Sequence, residues 1–387
     1  MGKVVAVLAL ALVLGGISGY PVESAQASSQ SRAIPVGTVL YLWYGWNSTS
    51  RVWTGGLGTS HWNDSGKSDV IDRPDRGYYA SLDNDTLAYQ LNQIKASGFS
   101  FVIVSWWGWG DEALNGTVSK DLNAAINNAT FNLFKYLEAY KSIFPFKVAL
   151  MVEPFNATAE STSSGSAKIY GYVYDHYYKP YGDLVLNWEG YPLITSFNPA
   201  YLYQNFTFTY RSMGNEPNAV DWIFWTGGGY SYLTASGGSA QPQNYALPPV
   251  IGHDGEVSIV PKYDDHVLYA VGERPGYMEF DPQNQLGLYN FEWNYLAAHR
   301  SQINLVIVYG WNEYHERTAL ECHVEPTVGE YCGAWDTEYY LSQFEAYPDN
   351  PTTSPQNPWG AILPVVALAA ILGTALFVVV VARRIMR

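Results

Sequence analysis

The sequence predicts an α/β protein, a (β/α)8 TIM barrel that is exported and followed by a single C-terminal transmembrane helix. Three observations carry this expectation. Short β-branched and aromatic runs recur along the chain with helix-like segments between them. The ends of these runs carry aromatic and acidic residues. Close to the C-terminus lies an uncharged apolar stretch of 23 residues. A length of 387 residues exceeds the usual span of one core, which fits one large barrel with appendages. Charged residues at 14%, against about 25% in ordinary domains, and aromatics at 16% exclude a disordered, coiled-coil or collagen-like chain.

Residues 1–27 read as a signal peptide, with Lys3, an apolar run from Val4 to Gly16, and Ala25-Gln26-Ala27 as a small-residue cleavage site. The strands expected after it are Val39–Trp43, Phe99–Trp107, Phe146–Val152, Asp183–Leu186, Trp222–Trp225, Val257–Val260 and Ile303–Trp311. Helices are expected at Asn84–Ser97, closed by Gly98, and at Leu122–Tyr140. Strand, helix, strand repeated in one chain implies a parallel sheet. No GxGxxG or P-loop sequence is present, so a closed barrel over residues 28–346 is preferred to an open nucleotide-binding sheet.

Residues 347–359, broken by four prolines, read as an extended linker. Gly360–Ala382 is long enough, at about 1.5 Å per residue, to cross ~30 Å of hydrocarbon. Residues 383–387, with three arginines, form a basic tail expected on the cytoplasmic side. The expectation is thus a single-pass protein of the cell membrane with its barrel outside the cytoplasm. Residues 28–358 hold 17 basic and 34 acidic residues, a field that repels nucleic acid. Sequons at Asn47, Asn63, Asn84, Asn115, Asn128, Asn156 and Asn205 fit an exported glycoprotein. Cys322 and Cys332, the sole cysteines, are expected to form one disulfide in an oxidising compartment.

Active sites of such barrels form at the carboxyl ends of the strands. There the chain places Trp43, Tyr44 and Trp46, then Trp106 and Trp107, then Glu153, then Tyr263, Asp264 and Asp265, and last Trp311, Asn312, Glu313, Tyr314, His315 and Glu316. Aromatic rings stack on the C–H faces of sugars while carboxylates and amides bond the hydroxyls, so the mixture suits an oligosaccharide or glycan. Two carboxyl groups, one protonated and one ionised, are what glycosidic cleavage requires. Residues alone leave two pairs open, Glu313 with Glu316 or Glu153 with Glu313. The histidines lack paired ligand spacing, so no metal and no cofactor is expected, although Tyr263-Asp264-Asp265-His266 could bind calcium as readily as a sugar.

The string from Asn312 to Glu321 resembles the NEWHEGTQIE signature of glycoside hydrolase family 99, the endo-α-mannosidases. Trp43-Tyr44-Gly45, Ser105-Trp106-Trp107-Gly108, Glu153-Pro154-Phe155 and Pro261–Asp265 resemble the family's other motifs in the right order. The resemblance implies a (β/α)8 barrel that hydrolyses internal α-mannosidic bonds with retention and without metal. It implies Glu313 as the base acting on the sugar 2-hydroxyl, giving a 1,2-anhydro sugar, and Glu316 as acid and later base. Glu153 and Tyr44 would bind hydroxyls, Trp106 and Trp107 would form walls, and Asn312 and His315 would orient the glutamates. Tyr314, Arg317 and Ala319 depart from the motif, and the Cys322–Cys332 loop is an addition. Arg317, beside Glu316, is expected to lower the pKa of the acid.

Overall fold

The computed structural model describes residues 33–62, 70–110, 120–155, 162–197, 202–203, 205, 207–214, 222–223, 233–234, 249–274, 276–277, 279–280, 287–326 and 328–347. The expected signal, apolar span and basic tail lie outside these residues, as do the linker beyond Tyr347 and the sequons Asn63, Asn115 and Asn156. No helix among the described residues is long and apolar enough to cross a membrane.

Among the described residues, eight parallel strands form the main sheet: β1 (Val36–Tyr41), β2 (Phe101–Trp106), β3 (Lys147–Val152), β4 (Tyr191–Phe197), β5 (Thr209–Gly214), β6 (Trp222–Ile223), β7 (Glu256–Ile259) and β8 (Leu305–Val308). Their order in the sheet is β6-β5-β4-β3-β2-β1-β8-β7. This is chain order wrapped round on itself, and β6 and β7, at its two ends, lie side by side without a ladder between them among the described residues. The architecture is therefore α/β and TIM-barrel-like.

Alternation along the strands divides the core in two. Val39, Tyr41, Ile103, Met151 and Ile307 belong to the inner cluster, whereas Leu40, Leu42, Val102, Val104 and Leu150 pack outward. Helix α1 (Asn84–Ala96) seals part of that outer layer with Leu87, Leu91 and Ile94. Its N-cap is Asp83, whose side chain accepts from the Asp85 amide, and Gly98 follows its end at a φ of 82°. Helices α2 (Lys120–Ala139), α3 (Ser163–Val173), α4 (Gly287–Ala298) and α5 (Gly333–Ala346) follow β2, β3, β7 and β8.

One expected strand is misplaced. Gly182–Leu184 is a turn of 3-10 helix and Val185 makes a single bridge to Val148; the fourth strand starts at Tyr191, behind the turn at Glu189 and Gly190. The fifth, Thr209–Gly214, was absent from the expected set because its sequence carries a Thr, an Arg and a Ser and no apolar run. Cys322 and Cys332 are joined, as expected, and the bond closes a small hairpin of His323–Glu325 with Gly329–Tyr331.

Candidate active site

The site is built where β1 and β8 end side by side. Trp311 donates its backbone N–H to Val39, and then the Asn312 side chain continues the pairing: its Oδ1 accepts from the Tyr41 N–H and its Nδ2 donates to the Tyr41 carbonyl, both at 2.9 Å. An amide side chain thus stands in for one more residue of ladder and fixes where Glu313 emerges. Tyr44 holds the same turn from the β1 side, donating its hydroxyl to the Asn312 carbonyl at 2.7 Å and accepting from the Tyr314 N–H at 3.2 Å. Tyr44 reaches there because the chain turns at Gly45 with a φ of 90°, where a Cβ would stand 2.4 Å from the Tyr79 carbonyl oxygen.

Glu313 Oε1 accepts from the His315 backbone N–H at 3.0 Å and lies 3.4 Å from His315 Nδ1. Glu316 receives the Arg274 guanidinium on Oε1 at 2.6 Å and the Tyr309 hydroxyl on Oε2 at 3.2 Å. Tyr309 in turn accepts from Tyr41 at 2.8 Å. Across the mouth, Glu153 Oε1 accepts from the Ser105 hydroxyl at 2.7 Å. Burial raises the pKa of the Tyr41 phenol, and the charges of Glu313, Glu153 and Glu316 add to that rise. Burial pushes the Glu316 carboxyl up to about 7; Arg274 opposes that shift, and the charges of Glu313 and Asp265 add to it.

Trp43 forms one wall, its ring stacked between Tyr41 at 4.4 Å and His61 at 4.3 Å, with Trp107 at 6.3 Å. The indole N–H groups of Trp43, Trp46 and Trp107 are shielded from solvent and have no partner among the described residues. His315 stacks on Tyr44 and meets His61 edge-on at 5.2 Å.

Several expected sugar contacts are placed elsewhere. Trp106 is fully buried on the outer side of β2, donating to Asn127 and packed on Tyr172, Trp109 and Phe155, so only Trp107 of that pair is part of the wall. Trp311 is fully buried against Phe99, and Tyr314 is fully buried with its hydroxyl on Glu321. Trp46 is half-buried against Trp53. Asp264 is held by Arg317 at 2.7 Å, and Asp265 accepts from Tyr263 at 3.0 Å; both are buried, with Asp265 close enough to act on Glu316.

Arg317 does not face Glu316. Its backbone stands at a φ of 53°, which turns the side chain towards Asp72, Asp264 and Glu325. The cation on Glu316 is Arg274, from a segment that gave no sequence signal. Tyr41, Ser105 and Tyr309 were likewise missed as site residues, although each is the aromatic or hydroxyl residue at or just past a strand's carboxyl end.

Two groups of side chains could gather round a cation, Asp72 with His323 and Glu325, and Asp264 with His266 and Glu279. In the first, Arg317 and Lys262 already neutralise the carboxylates; in the second, Asp264 is committed to Arg317.

No family model and no curated protein matches the chain. Solved structures do. The GH99 endo-α-mannosidase from Bacteroides thetaiotaomicron superposes with a TM-score of 0.53 at 15% identity, covering 81% of this chain and 98% of the other. A complex of a GH99 endo-α-mannosidase from that organism with bis-tris-propane gives a TM-score of 0.50 at 16% identity, covering 81% and 95%. The fold is GH99-like. At this identity the likeness is one of fold, and it agrees with the architecture expected from the motifs.

Proposed function

We propose that the protein is a retaining endo-glycosidase that hydrolyses internal α-mannosidic or related bonds of a glycan. Glu313 takes the proton of the sugar 2-hydroxyl, whose oxygen attacks the anomeric carbon from the face opposite the leaving group. Glu316 gives its proton to the departing oxygen. Water then opens the 1,2-anhydro ring, losing a proton to Glu316 while the 2-oxygen regains one from Glu313, and the configuration is retained. Glu153 binds a hydroxyl and Trp107 supplies a stacking face, while Asn312, His315 and Tyr44, whose buried hydroxyl is committed to the turn, orient the glutamates. Attachment to a membrane through residues 360–382, outside the cytoplasm, belongs to the same proposal.

One observation carries the reading: Glu316 is a carboxyl whose surroundings favour a proton near neutral pH, set beside Glu313 at one strand end. The unpartnered indole N–H of Trp107, in the aromatic wall, suits a hydroxyl-rich ligand. A non-catalytic glycan-binding barrel is the second reading, favoured by the Arg274 ion pair, which stabilises Glu316 in its ionised form. Incubation with manno-oligosaccharides and chromatography of the products separates the two. Glu313→Gln and Glu316→Gln should each lower turnover by about 10²–10⁴-fold, the usual worth of an acid or base, while still binding the sugar. Binding without cleavage by the unaltered protein would establish the lectin.

A further inference from the structure

We propose that Arg274 is a positioning residue for the reacting proton: it holds the Glu316 carboxylate and thereby sets how readily that side chain releases and regains a proton. The inference rests on the reading of Glu316 as the proton donor. Four elements meet the Glu316 carboxyl. Arg274, beyond the one-turn helix His266–Ala270, donates to Oε1; Tyr309, just past β8, donates to Oε2 and is itself held by Tyr41. Glu313, on the same turn, and Asp265, on the loop after β7, bring negative charge, and the Tyr263 phenol lies within reach of the Glu316 charge.

These groups pull in opposite directions. Burial and the two carboxylates favour neutral Glu316; Arg274 and the Tyr309 hydroxyl favour the anion. A side chain that must be acid in one step and base in the next works best when neither form is strongly preferred at the working pH. Without a cation, Glu316 would keep its proton and serve the second step poorly. Arg274 is the counterweight, and its bond to Oε1 also fixes the plane of the carboxyl. It is reached across 42 positions of chain, and its side chain is 31% exposed against 13% for Glu316, so it can be replaced without opening the core.

The test is the titration of Glu316 in the full chain, followed by carboxyl infrared spectroscopy and assigned by its loss in Glu316→Gln. Arg274→Gln should move the midpoint upward by about one to three pH units, the usual effect of a contacting opposite charge, and Arg274→Lys by less. The alkaline limb of kcat/KM should move upward with it. A midpoint unmoved in Arg274→Gln overturns the proposal. A midpoint that moves in a protein cleaving no manno-oligosaccharide at any pH supports the role of Arg274 and removes the hydrolase reading. Cleavage with an unmoved midpoint does the reverse.

Discussion

Arg317 shows how a residue can be misread from its sequence neighbours. Adjacent to Glu316, it is expected to bias that carboxyl, yet its positive φ sends the guanidinium into a buried cluster with Asp72, Asp264 and Glu325. Strand-end chemistry was legible at the residue scale because Glu313 and Glu316 sit in a recognisable string. Arg274 was not, because its partnership with Glu316 is made by the fold and spans 42 positions. The resembled motif has glycine where Arg317 stands, and the left-handed backbone explains why glycine suits the position. Arg317→Gly should relieve about 1 kcal/mol of backbone cost but leave three carboxylates without their shared cation, at about 3–5 kcal/mol. The expected net is a loss of roughly 2–4 kcal/mol in urea unfolding, and Arg317→Ala, which gains no backbone relief, should lose more. A glycine variant as stable as the parent would show that the cluster contributes nothing net.

At the scale of elements, the turn after β8 is held by side chains that imitate backbone. Asn312 pairs with Tyr41 as a strand residue would, and its Nδ2 also reaches the Tyr79 hydroxyl at 3.1 Å. Tyr79 in turn donates to Glu321, which also receives Tyr314. Asn312→Asp keeps the shape while replacing a donor by an acceptor against the Tyr41 carbonyl. It should cost about 1–3 kcal/mol of stability in urea unfolding and displace Glu313, so that turnover falls while sugar binding changes less. Equal loss in binding and turnover would argue against a positioning role. The long strands β1, β2 and β3 and the capped helix α1 were legible because burial on both faces forces continuous apolar runs and capping needs a polar residue. β4 and β5 were not, because Pro192 and Thr195 in one and Arg211 and Ser212 in the other interrupt the apolar signal, and pairing of β4 with β3 and of β5 with β4 supplies the order that composition lacks.

At the scale of the whole molecule, buried carboxyls of opposite disposition set the dependence of stability on pH. Burial raises Glu316 and Glu321 to about 7 each. Against burial, which alone would raise it, the contacts of His323 and Lys262 hold Glu325 down at about 2. Groups with a raised folded pKa bind more protons folded than unfolded, so their contribution is complete below the ordinary value near 4.5 and is lost as pH rises through about 7. Glu325 has the opposite sign: its contribution is present above about 4.5 and lost as pH falls towards 2. Stability should therefore peak close to pH 5 and fall on both sides. Glu321 is fully buried, and its rise to about 7 corresponds to about 3 kcal/mol on the alkaline side. Self-repulsion in the acidic barrel acts in the same direction as pH rises. Urea unfolding at pH 3, 5 and 8 measures the profile. Glu321→Gln, which retains an oxygen for the Tyr79 and Tyr314 hydroxyls but cannot ionise, should flatten the fall between pH 5 and 8 and leave the fall below pH 5 intact. A parent protein more stable at pH 8 than at pH 5 would mean that these two carboxyls are already ionised at pH 5 in the folded state, and with them would go the resident proton on which catalysis by Glu316 depends.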